Sequence, residues 1–377
     1  MSTVYIGLMS GTSLDGIDAV AVDFGADSAS LHIDVLAHAR CDIDEPLRAE
    51  LLALNRSSAD EIHRAALAAN AMASASARLI ADVLTLARID RRSVAAVGCH
   101  GQTVRHRPGD FDGIGYTVQL NAPARLVELC GIDVVADFRS RDVAAGGQGA
   151  PLVPAFHAAA FGRIGEPLAV LNLGGIANLT CIDGAGVTVG FDCGPANALL
   201  DAWYAAHAHR GFDVDGAWGA TGHVDGRLLQ AMLAEPYFAR PAPKSTGRDL
   251  FDVAWLEARL LGTDSRSRLR PEDIQATLAE LTAQSIATCC RQHAAAALEL
   301  VVCGGGAFNN DLMARLARLL KPVAVVGSGQ RGLPPDQVEA CAFAWLARAF
   351  VHRQPGNIAS VTGAAGPRVL GALYPAS

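Results

Sequence analysis

Charge is scarce in this chain. Asp, Glu, Lys and Arg together make up 18 % of its 377 residues, against 51 % hydrophobic. That balance excludes a disordered polyelectrolyte and supports sizeable buried cores. The formal net charge of -7 offers no broad attraction for nucleic acid or an anionic membrane, so a small-molecule partner is expected. No C-x-x-C pair occurs among the nine cysteines. Settings such as Val97-Gly98-Cys99, Val301-Val302-Cys303 and the adjacent Cys289-Cys290 are those of small buried hydrophobes. A reducing cytoplasm with neither a disulfide framework nor a structural metal is expected. The opening Met1-Ser2-Thr3 and the strand-like Val4-Tyr5-Ile6 lack the charged leader and apolar core of a secretory signal, so export is not expected. The most apolar helical stretch, about Ala65 to Ala87, is broken by Arg78 and Asp82 and is built on alanine, which argues against a membrane span. There is no Ser/Gly linker or low-complexity tract, so lobes, if present, are expected to touch closely.

A chain of this length predicts two lobes. Strand-like runs alternate with helical stretches throughout, the pattern of an α/β protein with largely buried sheets. A glycine-loop hairpin occurs twice: Val4–Met9 and Ile17–Phe24 around Ser10 to Gly16, then Leu168–Leu173 and Ile176–Ile182 around Gly174-Gly175, with Val187–Phe191 following. The recurrence predicts two lobes of similar topology, each opening with a hairpin whose loop points at a shared cleft. Lobe I is expected over residues 1–135, completed by about 338–377, and lobe II over 136–337. Helices are expected near Ala59–Arg88, from a cap at Asn121 to Gly131, near Asn197–His207, over Pro271 to His293, over Asn309–Leu320, and from Pro334-Pro335 towards Val351. Between Ala208 and Asp249 the sequence is rich in Gly, Pro and Asp and carries no readable pattern.

Five segments carry candidate chemistry. The loop Ser10-Gly11-Thr12-Ser13, with Gly16, has the small residues that let backbone N–H groups approach a phosphate, and Asp15 and Asp18 are candidate magnesium holders, directly or through water. An ordinary polar hairpin turn competes with that reading. Cys303-Gly304-Gly305-Gly306-Ala307-Phe308-Asn309 puts three glycines at a strand end before a helix, where backbone passes close to a flat ligand such as adenosine. It is not a Walker loop, since no Gly-Lys-Thr follows. Gly190 to Asn197 sets Asp192 at a strand end before a helix, as a general base beside a phosphoryl donor or as a helix cap. Asn197 is itself able to cap, which favours the base. His100-Gly101-Gln102-Thr103 clusters donors and acceptors for a hydroxyl-rich sugar. Asp137 to Asp142, leading into Gly146 to Pro151, offers an arginine for a substrate carboxylate. A satisfied buried network is the alternative for both.

Taken together and in order, these segments closely resemble the anhydro-N-acetylmuramic acid kinase family over nearly the whole chain. The blocks are Gly7-Leu-Met-Ser-Gly-Thr-Ser-Leu-Asp-Gly-Ile-Asp18, His100–Thr103, Asp137-Phe-Arg139, Ala145–Pro151, Asn172–Asn178, Gly190–Asn197, Cys303–Gly306 and Glu339–Leu346. The resemblance implies the two-lobed actin-like ATPase fold, ribonuclease H-like in topology, shared with hexokinase and Hsp70, with ATP and sugar in the cleft between lobes. It implies a kinase that opens the 1,6-anhydro ring of 1,6-anhydro-N-acetylmuramic acid with water and phosphorylates O6 in cell-wall recycling. Asp192 would be the catalytic base. Gly11, Thr12, Ser13, Leu14, Asp15, Gly16, Ile17, Asp18, Gly174, Gly304, Gly305 and Gly306 would hold ATP, with Mg2+ at Asp15 through water. Gln102, Thr103, Arg139 and Glu339 would contact the sugar and its lactyl carboxylate. A homodimer is the family tendency. Cys193 stands where the family has threonine and Ala196 where it has glycine, so a hydroxyl hydrogen bond near Asp192 is in doubt. Another sugar kinase or ATPase of the same fold is the rival enzyme. A filament or Hsp70-like binding module is the non-enzymatic rival, disfavoured by the lack of a C-terminal β-domain.

Overall fold

A computed structural model of the chain describes residues 3–11, 14–25, 31–208, 211–242, 244–247 and 250–376. In chain order the strands are β1 (Val4–Met9), β2 (Gly16–Asp23), β3 (Asp34–Asp42), β4 (Val94–Cys99), β5 (Gln102–Pro108), β6 (Gly115–Leu120), β7 (Val134–Ala136), β8 (Leu168–Leu173), β9 (Ile176–Ile182), β10 (Thr188–Pro195), β11 (Glu299–Cys303), β12 (Ala324–Gly327) and β13 (Ala372–Tyr374). Two compact units contain them, residues 1–160 with 337–377, and residues 161–336. Residues 136–160, expected in the second lobe, group with the first. The reason is Asp142, fully buried, which accepts hydrogen bonds from the Gly149 N–H, from Asn357 and from Thr362 and so ties this segment to the C-terminal stretch.

The first unit is built on a six-stranded sheet in the order β13-β7-β4-β1-β2-β3. β1, β4 and β7 run parallel, while β2, β3 and β13 are antiparallel to their neighbours. β1 and β4 are buried along nearly their whole length, as parallel strands covered on both faces must be. Gly7 and Gly98 lie side by side in register on them. A Cβ on Gly7 would stand 1.9 Å from the Ala340 carbonyl oxygen, and one on Gly98 would stand 2.0 Å from that of Phe343. The two glycines therefore exist to let the alanine-rich helix Val338–Val351 lie directly on the sheet. Ile6 and Leu8 point to the opposite face, where they pack with Met72, Leu79, Ile80 and Val83 of the helix Glu61–Ala87.

The second unit holds a five-stranded sheet in the order β10-β9-β8-β11-β12. β8, β11 and β12 are parallel and β9 and β10 antiparallel. Strand for strand, this order repeats β3-β2-β1-β4-β7 of the first unit, as the paired hairpins predicted. The helix Pro271–His293 is buried along most of its length and packs Ile286 and Ala287 with Leu171, Leu173 and Val302, joined by Leu312 and Leu316 of the helix Asn310–Leu320. A second core gathers Trp203, Leu228, Met232, Tyr237, Phe251 and Leu256.

Several local expectations hold: the helix Pro271–His293 has the predicted bounds, and Asn309 caps the next helix by accepting from the Leu312 N–H at 2.9 Å. Others are corrected. The helix expected from Pro334-Pro335 begins at Val338, because the Pro335 carbonyl accepts from the Gly304 N–H instead of starting a helical ladder. The helix Pro123–Cys130 has Ala122 at its cap, and the Asn121 amide donates to the Cys99 carbonyl. β10 runs on through Asp192 to Pro195, past the expected end at Phe191. β3 and the β5–β6 ribbon had no clear signal, being polar and half-exposed. Among the described residues, no helix is long and apolar enough to cross a membrane.

Candidate active site

In the first unit the β1–β2 hairpin presents the candidate phosphate loop. Thr12 and Ser13 lie outside the described residues. Gly11 and Leu14 close a turn through Leu14 N–H to Gly11 O at 3.2 Å, and Leu14 adopts φ of 59°, a conformation a non-glycine residue holds only when its surroundings compel it. Leu14 and Ile17 are buried in the core, so this loop offers backbone rather than those side chains. Gly16 is glycine because a Cβ would meet the Cys41 carbonyl at 2.7 Å. Asp15 is exposed, whereas Asp18 is engaged with His38 at 3.0 Å. Among the described residues no three His, Cys, Asp or Glu side chains are grouped to hold a metal ion.

Beneath the loop, β5 supplies its support. Ser10 Oγ donates to Gln102 Oε1 at 2.6 Å, and Gln102 Nε2 donates to the Gly11 carbonyl at 3.2 Å and to that of Thr103 at 3.3 Å. Gln102 is buried, so it serves the loop; Thr103 is half-buried and accepts from Gln119. Arg139 donates through Nε and a terminal nitrogen to His100 Nε2, at 3.1 and 3.0 Å, and through its other nitrogen to the Gly149 carbonyl at 2.8 Å. Arginine has only donors, so His100 accepts at Nε2, and its Nδ1–H donates to the Ser10 carbonyl at 3.2 Å. Burial, reinforced by Arg139, pulls the His100 pKa down to about 3, so the imidazole is neutral. Burial also lowers the Arg139 pKa to about 10, opposed by the carboxylates of Glu339 and Asp142. The structure thus brings Gln102, Arg139, His100 and Glu339 into one network within this unit.

In the second unit, Asp192 sits on β10 beside a register shift in its pairing with β9. It does not cap the helix that follows. Asn178 Nδ2 donates to Oδ1 at 2.8 Å and the Thr246 N–H donates to Oδ2 at 3.0 Å. Burial raises the Asp192 pKa, and these two hydrogen bonds oppose the rise. The backbone around it is clamped as well: Asp192 N–H donates to the Lys244 carbonyl at 2.9 Å, and the Tyr237 hydroxyl donates to the Asp192 carbonyl at 2.8 Å. Tyr237, Lys244 and Thr246 thus belong to the site, and sequence reasoning missed them because their stretch carries no periodicity. Cys193 has no exposed surface and packs in the apolar core, where burial raises its thiol pKa well above the usual value. Ala196 is likewise buried, and its N–H donates to the Gly175 carbonyl.

The glycine turn after β11 separates into two kinds of position. A Cβ on Gly304, where φ is 80°, would lie 2.4 Å from Asn172 Oδ1, and one on Gly306 would lie 2.7 Å from Leu173 Cβ, so both are needed for packing. Gly305 has nothing within 4 Å of a Cβ position, and Gly174 only the Ile176 carbonyl at 3.7 Å. Open space at these two leaves backbone approachable by a ligand.

Comparison with known proteins agrees with this arrangement. The (R)-2-hydroxyglutaryl-CoA dehydratase component A of Acidaminococcus fermentans superposes with a TM-score of 0.50 at 12 % identity, over 91 % of this chain and 96 % of that one. With the duplicated sheet order, this gives the fold of the actin-like ATPases. The anhydro-N-acetylmuramic acid kinase of Albidiferax ferrireducens is 56 % identical over the full length of both chains. That of Cupriavidus pinatubonensis is 57 % identical over 98 % of each. Residues 3–376 match the family model described as anhydro-N-acetylmuramic acid kinase, and the chain belongs to the anhydro-N-acetylmuramic acid kinase family.

Proposed function

We propose that this chain uses ATP to convert 1,6-anhydro-N-acetylmuramic acid into N-acetylmuramic acid 6-phosphate and ADP, in the recycling of cell-wall sugar. Asp192 takes a proton from water as the water oxygen bonds to the anomeric carbon. The C1–O6 bond breaks, and O6 takes the γ-phosphate. The observation that carries the reading is the state of Asp192: a half-buried carboxylate with raised basicity, oriented through both oxygens and spent on no cap or ion pair among the described residues. A group of that kind is suited to general-base work.

The remaining roles follow from the same reading. The Gly11–Asp18 loop, Thr12 and Ser13 included, receives the phosphates, and Gly305 and Gly174 let the nucleotide approach; Gly304 and Gly306 shape that turn. Magnesium, when bound, neutralises phosphate charge. The single exposed carboxylate of Asp15 suits a cation that keeps water and phosphate oxygens as its other ligands. Arg139 pairs with the lactyl carboxylate, with Glu339 modulating its charge; Thr103 shapes the sugar side, and Gln102, expected there too, supports the phosphate loop. The working form is a cytoplasmic homodimer.

Purified protein with magnesium ATP is to be assayed for ADP release with the anhydro sugar, with N-acetylmuramic acid, and without sugar. Release that requires the anhydro sugar, with solvent oxygen at the anomeric carbon, is expected, and Asp192→Asn should reduce it at least about a hundredfold while ATP still binds. Release with the open sugar alone would make the chain a plain sugar kinase, and equal release without sugar would make it an ATPase.

A further inference from the structure

Asp192 is held by a clamp more elaborate than a base needs for orientation alone. Asn178 and the Thr246 N–H fix its two oxygens, and Lys244 Nζ, donating to the Tyr237 and Phe238 carbonyls at 3.3 and 3.1 Å, fixes the course of the segment that carries Thr246. Within this clamp Thr246 Oγ1 is buried and has no hydrogen-bond partner among the described residues. Folded proteins rarely leave a buried hydroxyl unpaired, and valine would fill the same shape without that cost. Three covalent bonds keep Oγ1 within about 4 Å of the Thr246 nitrogen in any rotamer, and that nitrogen is 3.0 Å from Asp192 Oδ2. A molecule hydrogen-bonded to the carboxylate is therefore within reach of the hydroxyl.

We propose that Thr246 is a further catalytic residue, whose hydroxyl anchors the nucleophilic water beside Asp192. The carboxylate accepts one O–H of the water and Thr246 Oγ1 accepts the other, leaving a lone pair of the water oxygen for the anomeric carbon. As the new C–O bond forms and C1–O6 breaks, the proton passes to Asp192; the threonine keeps its own proton throughout. This rests on Asp192 acting as the base.

Thr246→Val keeps the shape and the backbone N–H, and Thr246→Ser keeps the hydroxyl. The valine variant is expected to lose about tenfold in kcat, with KM for ATP unchanged and the acid limb of the pH profile in place because the N–H to Oδ2 remains. The serine variant should stay within about twofold of the parent. A valine variant with full kcat, or a serine variant as impaired as the valine one, overturns the proposal. Thr246→Ala replaces valine in the comparison if melting curves show that valine unfolds the protein. Asp192→Asn in the same assay separates the failures: normal turnover there removes the base itself, whereas an inactive Asp192→Asn beside a fully active Thr246→Val removes only the threonine.

Discussion

The two units carry the same strand order and use it differently. In the first, β1 is followed by a polar loop and β4 by an added ribbon, β5–β6, which brings Gln102 under Ser10. In the second, the loop between β8 and β9 shrinks to Gly174-Gly175, and the long excursion between β10 and β11 returns Tyr237, Lys244 and Thr246 onto Asp192. One sheet order thus supports two kinds of site. The first unit presents backbone and a fixed cation, suited to holding ligands; the second presents a carboxylate of raised basicity, suited to chemistry. Their glycines differ in the same sense, for Gly7 and Gly98 admit a helix against the sheet, whereas Gly305 faces open space.

The contrast between glycines should give the largest effect on stability. Gly98→Ala drives a Cβ into a backbone carbonyl and is expected to destabilise the protein by about 2–4 kcal/mol. Gly305→Ala should change stability by less than about 0.5 kcal/mol while weakening nucleotide binding. Urea unfolding and nucleotide titration of both variants check this, and equal destabilisation would break the distinction between packing and ligand-facing glycines. Next in size, Arg139→Ala should raise the KM for the anhydro sugar by about tenfold or more with KM for ATP unchanged. An unaltered sugar KM would remove the carboxylate role and leave Arg139 a partner of His100 alone.

The smallest effect sharpens the second unit's share. Asp192 is protonated, and useless as a base, below its raised pKa, so activity falls as pH drops through that value. Asn178→Ala removes a hydrogen bond to the charged form, so the pKa rises further and the acid limb moves to higher pH. A pH profile of kcat/KM measures it; an unmoved limb would mean that Asn178 does not tune the carboxylate.

How far the sequence was legible follows from the range of the interactions involved. Strand alternation, glycine turns and helical periodicity are local, which is why both hairpins and the helix Pro271–His293 stand where the pattern put them. Asn309 was legible as a cap because capping spans three residues, while Asn121 was misread because its amide is taken by the distant Cys99 carbonyl. Motif order was enough for the family and its reaction, and it drew attention to His100, Arg139 and Asp192. It did not separate chemical from structural members of a motif: Gly7, Gly304 and Gly306 serve packing, and Leu14 and Ile17 serve the core.

The sequence alone determined the fold class and the two hairpins and singled out Asp192 as the proposed base, since each is encoded in short patterns of residue type. Only the tertiary structure decided the surroundings of that carboxylate, by bringing Asn178 and Thr246 onto its two oxygens. Those partners lie 14 and 54 positions away in the chain, and the burial that raises the pKa comes from packed segments that no local pattern announces.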